Sequence, residues 1–129
     1  MEIKIFTDGG SRGNPGPAGI GIVVFDVDGG DLYEDHQYIG EATNNEAEYT
    51  AVQKALEWLS QSTTQDMLSQ KQVTEITWHL DSKLVVEQLS KRWKIKEPRM
   101  RVFAEKIWQQ LATISQSSKF VHVPREQNK

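Results

Sequence analysis

Three carboxylates occupy positions from which chemistry can be done. Asp8 closes the alternating run that begins at Glu2, just before Gly9-Gly10. Asp81 follows a second alternating run, Val73 to Leu80. Glu48 lies in the first turns of an amphipathic segment, with Glu46 close by. Helical periodicity separates these two. Glu46, Thr50, Gln53 and Glu57 form a polar row, while Glu48 shares a row with Val52, Ala55 and Leu59. A carboxylate on an inward face is costly unless paired or bound to metal. Glu48 is therefore the functional candidate, and Glu46 is expected in solvent. If the two strands are neighbours, Asp8 and Asp81 meet at adjacent strand ends and Glu48 reaches them from the helix packed over that edge. Three carboxylates together repel and raise one another's pKa. A divalent cation removes the repulsion, and hard oxygen ligands select Mg²⁺ or Mn²⁺ over zinc. An Asp at a strand end also serves as a helix cap or turn former, so the signal lies in the three taken together.

The elements that must position these groups follow from the pattern. Glu2–Asp8 reads as a strand with Ile3 and Ile5 on one face, Phe6 and Asp8 on the other. Gly9 to Pro17 is turn chemistry. Ala18–Phe25 is apolar and β-branched, a buried strand. Asp28-Gly29-Gly30 signals a hairpin, and Leu32–Ile39 returns as a third strand. The period then changes. Thr43 or Asn44 caps a helix to about Leu59. Ser60–Gln72 is polar and reads as a loop, with at most a short helical piece. Val73–Leu80 is the fourth strand, and Asp81-Ser82 caps a helix carrying Leu84, Val85 and Leu89. Pro98 opens a helix with Met100, Phe103, Ala104, Ile107 and Leu111 at helical spacing. Phe120–Val123 is the last strand, ended by Pro124. The order β-β-β-α-β-α-α-β predicts an α/β fold, a mixed five-stranded sheet flanked by helices.

The 129 residues suit one domain. The absence of cysteine excludes a disulfide scaffold, a thiolate zinc site and a cysteine nucleophile. No apolar run approaches the ~20 residues of a membrane span, and the N-terminus lacks signal-peptide character. The expectation is a soluble, cytoplasmic, monomeric domain. With 15 Lys+Arg against 18 Asp+Glu, the net charge of −3 argues against gripping nucleic acid by bulk charge. The distribution is uneven, however. Asn14 to Gln53 holds no Lys or Arg, whereas Lys83, Lys91, Arg92, Lys94, Lys96, Arg99, Arg101 and Lys106 cluster later. An acidic region beside a basic one fits a metal site next to a phosphate track, and equally a pair of solvated faces.

Four motifs then coincide: FTDGGSRGNPGPAG (Phe6 to Gly19), ATNNEAEY (Ala42 to Tyr49), HLDS (His79 to Ser82) and the closing VPREQNK (Val123 to Lys129). In order and spacing the chain resembles ribonuclease H of the type 1 class over nearly its whole length. The resemblance implies a ribonuclease H-like fold and an endonuclease that cuts the RNA strand of an RNA–DNA hybrid duplex. It implies two Mg²⁺ ions, with Mn²⁺ as a substitute, held by four carboxylates, of which Asp8, Glu48 and Asp81 take the first three positions. Asp8 would bridge both ions, roughly 4 Å apart. Substrate contacts are implied at Gly9, Gly10 and Gly13, where backbone can approach closely, at Ser11, Ser82 and Lys83, and at Asn14, Asn44 and Asn45 near the minor groove, where 2′-hydroxyls are displayed. Asn44 also suits a helix cap, and Asn14-Pro15-Gly16 a simple turn. Trp93 and Lys94, within KRWKIKEPR, suit the DNA strand's phosphates, or Trp93 and Ile95 pack beneath a helix junction. The fourth carboxylate is expected as an Asp in a closing helix just beyond VPREQN. The chain stops at Lys129, so the expectation is a domain cut short before that helix, and Glu126 is no obvious substitute. The alternative is a catalytically silent hybrid-binding module. His36, His79 and His122 are expected to be structural.

Overall fold

The computed structural model describes residues 1–124. Five strands form one sheet: β1 (Glu2–Ser11), β2 (Gly16–Phe25), β3 (Asp31–Ala42), β4 (Glu75–Leu80) and β5 (Ser117–His122). Their order is β3-β2-β1-β4-β5. The β1–β2 and β2–β3 pairs are antiparallel, whereas β4 runs parallel to both β1 and β5. The mixed sheet expected from the sequence is therefore present, with the first and fourth strands side by side. Four helices connect and cover it: α1 (Asn44–Leu59), α2 (Ser62–Gln70), α3 (Lys83–Leu89) and α4 (Pro98–Leu111). The long parallel crossovers are the ones that carry helices, as parallel pairing requires.

Alternation decides the two faces of β1. Ile3 and Ile5 are fully buried, and so is Thr7 to within 1%. They share one core with Ile22, Val24, Trp78 and Leu80 of the sheet and with Val52, Leu56, Val85, Ala104 and Ile107 of the helices. Burying each such aliphatic side chain contributes ~1.5–3 kcal/mol before entropy is charged. Two polar pairs are satisfied inside this core. Tyr49 donates its hydroxyl to Gln88 Oε1 at 2.5 Å, and Trp78 Nε1 donates to Ser118 Oγ at 3.0 Å. The opposite face carries Lys4, Phe6 and Asp8. There Phe25 meets Phe6 edge-on, and His79 stacks on it at 4.3 Å between centroids. His79 is thus structural.

Three features differ from the sequence expectation. First, Asp8 does not end its strand. Gly9, Gly10 and Ser11 continue pairing with Ile20, Gly19 and Ala18, so the turn proper begins at Arg12, whose N–H donates to Pro17 O at 2.8 Å. The local strand end next to Asp8 is that of β4, whose register with β1 stops at Thr7↔Leu80. Second, the short helical piece allowed within residues 60–72 is a nine-residue helix that fills most of the stretch. Helix α2 forms because Thr64 and Leu68, one helical turn apart, are buried. The full order is β-β-β-α-α-β-α-α-β. Third, β3 extends beyond Leu32–Ile39 at both ends, because β2 supplies partners from Asp31 to Ala42.

Candidate active site

Helix α1 begins with a capping box. Thr43 accepts from Glu46 N at 3.1 Å, and Glu46 Oε1 accepts from Thr43 N at 2.9 Å. Thr43, not Asn44, is therefore the cap. Glu46 is likewise not free in solvent, because its other oxygen lies 3.4 Å from Arg99 Nη1 of α4. With its start fixed, α1 places Glu48 on the sheet-facing side as periodicity predicts, and the residue is 3% exposed.

Glu48 crosses β1 where the strand has no side chain. A Cβ at Gly9 would stand 2.4 Å from the carbonyl carbon and oxygen of Ala47 and 2.7 Å from Glu48 N. This glycine is required by close approach and not by a turn. Its freed N–H donates to Glu48 Oε1 at 2.6 Å. Asp8, Glu48 and Asp81 each offer a carboxylate oxygen, and these oxygens all lie within 4.8 Å of one another. Burial, then the Asp81 and Asp8 charges, push the Glu48 carboxyl up to about 9, against the pull of the Gly9 N–H. Glu48 Oε2 is buried without a hydrogen-bond partner among the described residues. A buried carboxylate oxygen facing two further carboxylates is the donor set of a hard divalent cation, and the three residues fit one.

A second group adjoins the first. Asn44 Oδ1 accepts from Ser11 N at 2.9 Å and Ser11 Oγ at 3.2 Å, while Asn14 Oδ1 accepts from Asn44 N at 3.0 Å. The β1–β2 connection is thereby tied to the start of α1. Ser11 also donates to Gly13 O, and Gly13 takes a φ of +89°, which favours glycine. Gly10 flanks Ser11 on β1, and Asn45 lies half-buried in the first turn of α1.

The remaining predicted contacts separate. Ser82 caps α3 by accepting from Val85 N at 3.3 Å, and Lys83 is exposed beside it. Trp93 and Lys94 lie farther along, between α3 and α4, on a concave surface with Lys91, Arg92, Lys96 and Arg101. Trp93 is 45% exposed, so it does not pack beneath the junction; Ile95 does, against the core. Lys91 lies over the Trp108 ring at 4.8 Å. His36 is exposed and pairs with Glu34 at 3.2 Å, and His122 is exposed at the end of β5. Both lie on the surface, away from the carboxylate cluster's ligand set. Arg125 to Lys129, with Glu126 and the rest of the closing motif, lie outside the described residues. Periodicity placed Glu46 in solvent, whereas it completes the cap that Thr43 begins; the Thr-x-x-Glu pattern ahead of an apolar run is the signal for that pairing.

Comparison with known proteins gives the family. The RNase H family model matches residues 1–125. The bifunctional protein Rv2228c of Mycobacterium tuberculosis is 42% identical over 132 residues, covering 99% of this chain and 33% of that protein. Ribonuclease HI of Halobacterium salinarum is 38% identical over 130 residues, covering 98% of this chain and 59% of that enzyme. The chain thus spans between a third and three fifths of the length of these relatives. Among solved structures, LC11-RNase H1, isolated from compost by a metagenomic approach, superposes with a TM-score of 0.88 at 45% identity over 98% of this chain and 87% of that one. The same enzyme in complex with an RNA/DNA hybrid gives 0.86 at 45% identity, over 98% and 88%. No helix among the described residues is long and apolar enough to cross a membrane. The carboxylate cluster, the glycine strand that admits it and the family match over nearly the whole chain converge on one conclusion: this chain belongs to the RNase H family.

Proposed function

We propose that the chain is an endonuclease hydrolysing the RNA strand of RNA–DNA hybrids. The observation that carries this reading is the convergence of Asp8, Glu48 and Asp81 from β1, α1 and the end of β4, with ligand oxygens within 4.8 Å. The family match and the hybrid-bound LC11-RNase H1 supply the substrate class. These three residues would supply three of the four carboxylates that hold two Mg²⁺ ions, with Mn²⁺ as substitute. When bound, the ions neutralise charge at the phosphate and make a water more acidic.

The chain's own residues do the rest. Gly9 N–H fixes one oxygen of Glu48, so the carboxylate arrives oriented. Asn14 and Asn44 spend their Oδ1 atoms inside the protein. Their NH₂ groups remain as donors toward a 2′-hydroxyl oxygen, which DNA lacks. The basic concave surface around Trp93 and Lys94 receives phosphates of the DNA strand. The test is cleavage of an end-labelled hybrid beside duplex DNA and duplex RNA, with Mg²⁺, Mn²⁺ or chelator. Metal-dependent cleavage of the hybrid's RNA strand alone is expected. Turnover of duplex DNA in place of the hybrid overturns the reading, and binding without turnover identifies a silent hybrid-binding module.

A further inference from the structure

Two helices carry or follow ligands of the site, and their buried polar groups meet. Helix α1 buries Glu48 and, next to it, Tyr49 among otherwise apolar residues. Helix α3 starts two residues after Asp81 and buries Val85, Val86, Leu89 and the polar Gln88. The Tyr49 hydroxyl donates to Gln88 Oε1 at 2.5 Å. Tyr49 is 0% exposed and Gln88 5%, so water does not compete for the bond. The Tyr49 ring also stacks on Phe103 of α4, with 5.7 Å between centroids. Successive helical residues point about 100° apart. Glu48 can therefore reach Gly9 of β1 while Tyr49 reaches α3.

The site needs a tie of this kind. Strand pairing fixes Asp8 relative to Asp81, since β1 and β4 keep register up to Thr7↔Leu80. Glu48 sits on a helix and has no such register. Its bond from Gly9 N–H sets its place over β1, but not its approach to the end of β4. Three carboxylates with oxygens within 4.8 Å repel one another when ionised, and the repulsion acts to part α1 from β4 and α3. The Tyr49–Gln88 bond opposes that displacement one residue from Glu48. Its other end lies on a helix capped by Ser82, the residue after Asp81. A hydrogen bond suits this task better than it suits stability. Buried, it adds little over an apolar pair of the same shape, but its length and direction are fixed. Apolar contact is non-directional and permits sliding. Burial also pushes the Tyr49 hydroxyl up, so it remains a donor where the carboxylates ionise.

We propose that Tyr49 and Gln88 are positioning residues of the metal site: their hydrogen bond holds α1 against α3 at the spacing that brings the Glu48 carboxylate to those of Asp8 and Asp81. The proposal rests on the metal-site reading above. It is tested on the whole chain without nucleic acid. Mn²⁺ affinity is measured by electron paramagnetic resonance, with Asp8→Asn marking what binds at the site, and stability by urea melts in chelator. The chains compared are the unaltered one, Tyr49→Phe, Tyr49→Phe with Gln88→Leu, and Ile107→Val, which trims a fully buried side chain of α4. Tyr49→Phe leaves the Gln88 oxygen unpaired and is expected to lower stability; the double variant removes both polar groups and is expected to regain it. Both are expected to bind Mn²⁺ about tenfold more weakly. Ile107→Val, destabilised by its cavity, is expected to keep the unaltered affinity. Unaltered Mn²⁺ affinity in Tyr49→Phe overturns the proposal. So does affinity that returns with stability in the double variant, or a loss in Ile107→Val equal to that in Tyr49→Phe, since affinity then follows stability alone. Mn²⁺ binding that depends on Asp8 and Tyr49, in a chain that cleaves no hybrid, leaves the positioning role standing and removes the nuclease reading.

Discussion

Glu48 is where burial and charge conflict most sharply. Its carboxyl is pushed up to about 9 by burial first and by Asp81 and Asp8 next. In the unfolded chain it titrates near 4.5. Between those values the folded chain holds a proton that the unfolded chain has lost. The contribution of Glu48 to the stability of the metal-free protein is therefore full below about 4.5 and is lost as pH rises toward 9. Glu48→Gln should flatten that slope, as urea melts in chelator across this pH range will show. A bound divalent cation reverses the sense, since it favours the ionised carboxylates and binds only the folded state. Thermal melts should thus rise with Mg²⁺ or Mn²⁺ at neutral pH, and Asp8→Asn should abolish the rise. At Gly9 the account is steric. Gly9→Ala drives a Cβ into the Ala47 carbonyl, with an expected loss of ~1–3 kcal/mol of stability and displacement of Glu48. An unchanged melting temperature in that variant would contradict the close approach.

At the scale of elements, the start of α1 governs the site. Its capping box ties Thr43 to Glu46, and two residues farther on Glu48 turns inward. Thr43→Ala should cost about 1 kcal/mol and loosen the Asn44–Ser11 link as well as the helix end. Arg99→Ala removes only a pair whose Arg side chain is 74% exposed, so its effect should stay within ~0–1 kcal/mol. Chemical denaturation of both variants checks the contrast. The same elements show what periodicity could and could not reveal. The inward row of α1 was legible because eight of its residues are buried on one side. Helix α2 was not, since only Thr64 and Leu68 bury in a polar stretch, and tertiary packing decided the outcome. Gly9-Gly10 read as a turn because glycine is ambiguous in a single sequence. Only the pairing with β2 shows that the strand runs on to Ser11.

Across the whole molecule, the candidate site is a meeting of distant segments. Asp8, Glu48 and Asp81 were legible one by one, but their convergence depends on β4 lying parallel beside β1. The motifs pointed to that arrangement and the strand order shows it. Charge is divided in the same way, with the carboxylates where β1 and α1 meet the end of β4 and the basic surface between α3 and α4. Hybrid binding should therefore weaken steeply with salt despite a net charge of −3. Lys94→Glu should reduce both affinity and the salt slope, whereas Asp8→Asn should leave the slope intact. The most direct test of the central claim is cleavage of an end-labelled RNA–DNA hybrid by this chain in Mg²⁺ and in Mn²⁺, beside its Asp8→Asn variant. Metal-dependent cutting of the RNA strand, abolished by the substitution, is expected. Cutting that survives Asp8→Asn would contradict it.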